Sequence, residues 1–161
     1  MIKLFRIDDR ILHGQVAFSW TKTLGIDTIY IVNDEIVKDE MTRMTLSIAK
    51  PRGTKLTVYA VEDGIEAIKG RLNDRSKLMI IINNVTDAYR ICSAIPEIKE
   101  LNFGGIKENP KVESHRFNGS VTLTLEDVET AKKIAELGVN MDIKAVPEEK
   151  PINLNNLLKE L

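Results

Sequence analysis

The sequence predicts an α/β fold: a three-layer α/β/α sandwich around a mostly parallel central sheet. Two observations carry that reading. Short apolar, often β-branched runs alternate along the chain with stretches whose apolar residues recur at helical spacing. The run Leu78-Met79-Ile80-Ile81-Ile82 has no polar side at all, as a strand buried on both faces requires. Strand and helix in alternation place helices on both faces of a parallel sheet. The chain carries no internal repeat or low-complexity tract, and its 161 residues suit a single domain spanning 1–161.

Taken in order, strands are expected at 2–8 (IKLFRID), 28–33, 55–61, 77–83, 100–103 and 140–146. The first helix runs from Gln15 to Leu24, turns Val16, Ala17, Trp20 and Leu24 inward, and stops at Gly25. Phe18 points away from that stripe. Met41, Met44 and Ile48 share one helical face, as do Val61, Ile65, Ile68 and Leu72, and then Ala88, Ile91, Cys92 and Ile95. Thr124 followed by Asp127 has the pattern of a capping box, and Gly138 marks the end of that helix. The tail sets Leu154, Leu157, Leu158 and Leu161 on one face that docks on the body. Residues 105–120 mix Gly, Pro, Lys, Glu, Asn and Ser and read as a long loop, with His115 facing solvent.

Composition removes several function classes. With 29% charged residues and a net charge of −1, nothing calls for nucleic acid or an anionic membrane, both of which favour basic patches. The one cysteine, Cys92, excludes an intramolecular disulfide and a multi-cysteine zinc site, and its helical position reads as core. No metal or cofactor is expected. The longest apolar run is too short to span a bilayer, and the N-terminus lacks the regions of a signal peptide. The expectation is a cytoplasmic protein that serves any membrane process by docking.

The segment RIDDRILHGQV (6–16) holds one of only two histidines. In an open α/β sheet, ligands bind outside the carboxyl ends of the strands. The first strand therefore delivers Asp8, Asp9, Arg10 and His13 to the chemical edge. Gly14 permits an unusual backbone angle or a close approach by another group. His13 falls at the N-terminus of the first helix, where free amides near Gly14 and Gln15 favour an anion. A neutral imidazole, with a reference pKa of about 6.5, is a competent nucleophile near neutral pH. Arg10 can meet phosphoryl oxygens with a fork of donors, and Asp8 or Asp9 can hold the opposite ring nitrogen and fix the tautomer. Gly104 and Gly105 follow a strand and are candidates to line the same edge. Asn83-Asn84 ends another strand and is a candidate to bond the loop.

As a whole, RIDDRILHGQV resembles the active-site segment of the enzyme IIB component of the mannose/fructose/sorbose family of sugar phosphotransferase systems. The likeness continues through VAFSWTK (16–22), IVNDEIVKDEMTRMTLSIAKP (31–51), LNFGG (101–105) and the K-A-V-P ending near Val139–Pro147. The resemblance implies that His13 accepts a phosphoryl group on its pros nitrogen, Nδ1, from an enzyme IIA protein or domain that the phosphocarrier HPr has charged. It implies that the group then passes to a sugar in the membrane subunits IIC and IID, that Arg10 is the partner arginine, and that the fold is a three-layer sandwich. One departure is Ile11-Leu12, written Leu-Ile in many relatives, which bears on packing under the loop.

Two other readings compete. A phosphorylated receiver domain needs an aspartate ending the third strand and a lysine ending the fifth; Leu56–Ala60 and Asn102-Phe103-Gly104 supply neither. A free-standing phosphatase or mutase with a histidine nucleophile remains the enzymatic alternative, and it needs a second histidine or an acid as proton donor.

Overall fold

The computed structural model describes Met1–Leu161. The chain runs β1 (Ile2–Asp8), α1 (Gly14–Leu24), β2 (Thr28–Val32), a 3-10 turn at Ile36–Lys38, α2 (Glu40–Ala49), β3 (Lys55–Tyr59), α3 (Val61–Lys69), β4 (Leu78–Ile82) and α4 (Val85–Ala94). It continues through β5 (Glu100–Gly105), β6 (Ser114–Arg116), β7 (Thr122–Thr124), α5 (Leu125–Glu136), β8 (Asn140–Ile143), β9 (Ile152–Asn153) and α6 (Leu154–Leu158). Seven strands form one sheet in the order β3-β2-β4-β1-β5-β8-β9. All neighbours are parallel except β9, which runs antiparallel to β8. The predicted sandwich and its mostly parallel sheet are both present.

Strand alternation divides the interior in two. Leu78, Ile80 and Ile82 of β4 face one side, with α3, α4, α5 and α6, in a cluster of 27 buried residues. Met79 and Ile81 face the other, with Ala17 and Trp20 of α1 and Leu46 of α2, in a cluster of 10. That two-sided burial is why the strand reads as a continuous apolar run. Each such fully buried side chain contributes about 1.5–3 kcal/mol relative to exposure.

Local signals act as expected at several ends. Gly25 and Gly138 adopt φ of 65° and 84°, the left-handed region that closes a helix. The Asp127 amide donates to Thr124 Oγ1 at 3.0 Å, capping α5. Other boundaries move for identifiable reasons. β3 ends at Tyr59 and not at 61, because the Val61 amide donates to Asp34 Oδ1 (2.9 Å) and opens α3. β8 stops at Ile143 because the Lys144 and Ala145 carbonyls turn to accept from Arg6.

Three expectations need correction. Residues 105–120 are not a long loop: Ile106 bridges Val121, and β6 and β7 form an antiparallel ribbon. The Asn118 side chain fixes its turn by accepting from the Ser120 and Val121 amides, each at 2.8 Å. His115 lies in this ribbon, half-buried, its ring 4.6 Å from that of Phe117. The tail helix covers only 154–158, burying Leu154 and Leu158 while Leu161 stays exposed. On α2, Leu46 is the residue that buries, and Met41, Met44 and Ile48 are 78%, 60% and 83% exposed on the opposite side.

Candidate functional site

β1 lies between β4 and β5, and its carboxyl end carries Asp8 into the centre of the rim. Asp8 is fully buried. Its Oδ2 accepts from Arg6 Nη2 at 3.0 Å and lies 3.1 Å from His13 Nε2; its Oδ1 accepts from the Arg10 amide at 3.0 Å. One carboxylate therefore holds the strand end, the loop and the ring.

The connection that returns His13 over Asp8 is a tight turn. Ile11 sits at φ 61°, the left-handed region, which costs a β-branched residue on the order of 1–3 kcal/mol. Burial of Ile11 and Leu12 and a 2.9 Å bond from the Ile11 amide to the Asp8 carbonyl hold it there. Gly14 also has positive φ, 39°, yet a Cβ built on it would meet nothing within 4 Å. Its glycine serves the backbone angle and not a close approach.

His13 is the N-cap residue of α1, extended at φ −141°, and its side chain makes no capping bond. It is 25% exposed. The first turn of α1 contains no acidic residue, so its orphan amides, including those of exposed Gly14 and Gln15, favour an anion beside the ring. With Nε2 directed at Asp8, Nδ1 is the ring nitrogen that makes no hydrogen bond. The Arg10 side chain is largely exposed, with Nε 3.8 Å from Asp8 Oδ1.

The two acids have separate tasks. Asp8 faces the ring, whereas Asp9 Oδ2 accepts from the Lys107 amide at 2.8 Å and staples this loop to the segment after β5. Asp9 is not a ring partner. Gly104 lies beneath the site and not at its rim: a Cβ there would come within 2.1 Å of Arg6 Cζ. Gly105 faces Asp8, its virtual Cβ 3.6 Å from Oδ1. Asn83 bonds Asn33 and Asn84, and Asn84 caps α4 through the Asp87 amide, so neither reaches the active loop.

Sequence reasoning missed Arg6. It is 3% exposed, and burial pushes its guanidinium below the ordinary value while Asp8 opposes the shift. The signal was available in the alternation of β1, which puts Leu4, Arg6 and Asp8 on one face of a central strand. No group of three or more His, Cys, Asp or Glu residues is placed to hold a metal ion.

The fold and this rim define a parallel α/β domain that presents a histidine at a helix N-terminus, above a buried aspartate. Residues 2–161 match the model of the PTS system sorbose subfamily IIB component, and the chain belongs to that family of phosphotransferases. It is 32% identical to the probable phosphotransferase enzyme IIB component of Streptococcus pyogenes serotype M6, covering 98% of this chain and 99% of that one. It is 27% identical to the mannose-specific EIIAB component of Escherichia coli, over 100% of this chain and 49% of that longer protein. The crystal structure of the IIBSor domain of the sorbose permease from Klebsiella pneumoniae superposes with a TM-score of 0.90 at 28% identity, covering 99% and 97% of the two chains. No helix is long and apolar enough to cross a membrane.

Proposed function

We propose that this chain is the phosphoryl carrier of a bacterial sugar phosphotransferase system, working in the cytoplasm with His13 as its phosphorylated residue. The reading rests on family membership and on one geometric observation: Asp8 engages His13 Nε2, leaving Nδ1 without a hydrogen bond at the N-cap position of α1. A phospho-IIA protein or domain is the donor, in keeping with a relative named EIIAB. A sugar held by the membrane subunits IIC and IID is the acceptor.

The Nδ1 lone pair forms the new N–P bond as the donor's N–P bond breaks, its electrons returning to the donor nitrogen. The Nε2 proton stays in place, so the ring becomes cationic and Asp8 balances it. Arg10 and the amides of Gly14 and Gln15 face the phosphoryl oxygens, and positioning with charge stabilisation does the catalysis. Transfer to the sugar forms an O–P bond as the His13 N–P bond breaks; the bond electrons return to Nδ1 and restore the neutral ring, and the hydroxyl proton leaves to solvent or to a base on the acceptor subunits. No metal on this chain enters either step. For a phosphatase or mutase the ring would need a proton donor beside it, and Asp8 is already committed to Arg6 and His13.

Incubation with phosphoenolpyruvate, enzyme I, HPr and a cognate IIA should place acid-labile, base-stable label on the chain. His13→Ala should abolish the label with circular dichroism unchanged. Label that survives the substitution defeats the assignment, and rapid loss of label to water without sugar favours the phosphatase.

A further inference from the structure

Beneath the His13 ring lies a buried charged network of which the proposed phosphoryl step uses only Asp8. Arg6 Nη1 donates to Asn102 Oδ1 (2.7 Å) and the Lys144 carbonyl (3.1 Å); Nη2 donates to Asp8 Oδ2 and the Ala145 carbonyl, both at 3.0 Å. Asn102 Nδ2 in turn donates to Asp142 Oδ1 at 2.9 Å, and the Trp20 ring stands 5.4 Å from the guanidinium carbon. Trp20 Nε1 donates to the same Ala145 carbonyl at 3.0 Å, so the segment Arg6 grips is held from two sides. Burying a guanidinium costs several kcal/mol, and a position that needed only volume is served by methionine or leucine without that cost.

The network's connection to the chemistry is Asp8 Oδ2, shared by Arg6 Nη2 and His13 Nε2. An ionised carboxylate only accepts hydrogen bonds, so it requires the proton on Nε2 and leaves the Nδ1 lone pair free. Without the guanidinium, Oδ2 loses the bond that aims it at the ring; Arg10 Nε, 3.8 Å away, engages Oδ1 and not Oδ2, so the carboxylate is free to turn and no longer dictates the tautomer. We propose that Arg6 is a positioning residue for phosphoryl transfer: it holds Asp8 Oδ2 oriented toward the ring, and thereby locks His13 in the Nε2–H tautomer with Nδ1 available. The consequence for transfer rests on the carrier reading above; the consequence for the tautomer does not. Gly104 belongs to the same device, because any larger residue there would strike the guanidinium.

The test uses the full chain labelled with ¹⁵N-histidine, with His115→Gln to assign the two rings. Long-range ¹H–¹⁵N correlation should show neutral His13 protonated on Nε2. Arg6→Met should give mixed tautomers and slow transfer from phospho-IIA about 10- to 100-fold, as small misplacements of a reacting atom do. Arg6→Lys, which keeps the charge without the fork, should recover part of both, and Gly104→Ala should reproduce the Arg6→Met spectrum. Wild-type tautomer and wild-type rate per folded molecule in Arg6→Met would show a merely structural arginine and overturn the proposal. Should the variants not fold, a wild-type ring protonated on Nδ1 overturns it alone. A wild-type chain that phospho-IIA cannot label defeats the carrier reading, while the tautomer comparison still decides what Arg6 does.

Discussion

On one face of the sheet, helices α3 to α6 and the strands close a cluster of 27 buried residues; on the other, α1 and α2 close one of 10. The His13 loop lies on the thinner side, since Ile11 and Leu12 belong to the smaller cluster. Apolar contacts are non-directional, and a small cluster gives few of them to fix a ring in place. Directional bonds supply the missing precision here: Asp8 to Arg6, Arg10 and His13, Asp9 to Lys107, and Trp20 to Ala145. The larger cluster makes the frame rigid, and the polar network fixes the His13 ring to it. The same thin covering leaves Phe18, Met41, Met44 and Ile48 in solvent.

The sharpest way to break this comparison is to cut one apolar side chain from each face. Ile91 of α4 is fully buried in the larger cluster, and Ile91→Ala should cost about 2–5 kcal/mol. Leu46 is the one buried residue of α2, which can settle inward when it is truncated, so Leu46→Ala should cost about 2 kcal/mol, the low end of that range. Urea unfolding midpoints at constant slope give both values. Equal losses would mean that the thin face is as tightly packed as the thick one.

What could be read before folding follows the same division. The two-sided burial of β4, the Thr124 cap, the glycine helix ends and the grouping of Asp8, Arg10 and His13 are local patterns, within a few residues of one another. For Arg6 only the facing was local, through the alternation of β1; its partners Asn102 and Lys144 are 96 and 138 residues away, and they meet it only once β5 and β8 have taken their places. Helical periodicity showed that Met41, Met44 and Ile48 share a face, but it says nothing about which side the sheet occupies. Leu46, on the opposite side of the helix, decides it. The ribbon at 114–124 went unseen because its strands are three residues long and depend on Asn118 turning the chain between them.

A subtler probe asks whether the thin face's exposed side chains serve contact with a partner. Phe18 lies on α1, half-exposed, one turn beyond His13. Phe18→Ser should change stability by no more than about 0.5 kcal/mol, the usual range at surface positions. Transfer from phospho-IIA should slow several-fold, read by quenched-flow labelling. Unchanged kinetics would leave Phe18 a lone surface aromatic and place donor docking elsewhere on the rim.

The smallest effect concerns an acid that ties helices to the thick side. Asp34, just past β2, accepts from the Val61 amide at 2.9 Å and from Arg90 Nη1 of α4 at 3.1 Å. The Val61 amide, followed by Arg90, holds its carboxyl below the ordinary carboxylate value. A carboxyl whose folded value is depressed adds stability that is complete above the unfolded value, near pH 4, and disappears as pH falls through the folded one. Its side chain is 46% exposed, so solvent screening keeps the contribution to about 1 kcal/mol or less. Asp34→Asn should therefore lower stability slightly at pH 7 and flatten its decline below pH 4, measured by urea unfolding across pH. An unchanged acid limb would mean that the capping bond to Val61 adds nothing in solution, and that apolar packing alone seats α3.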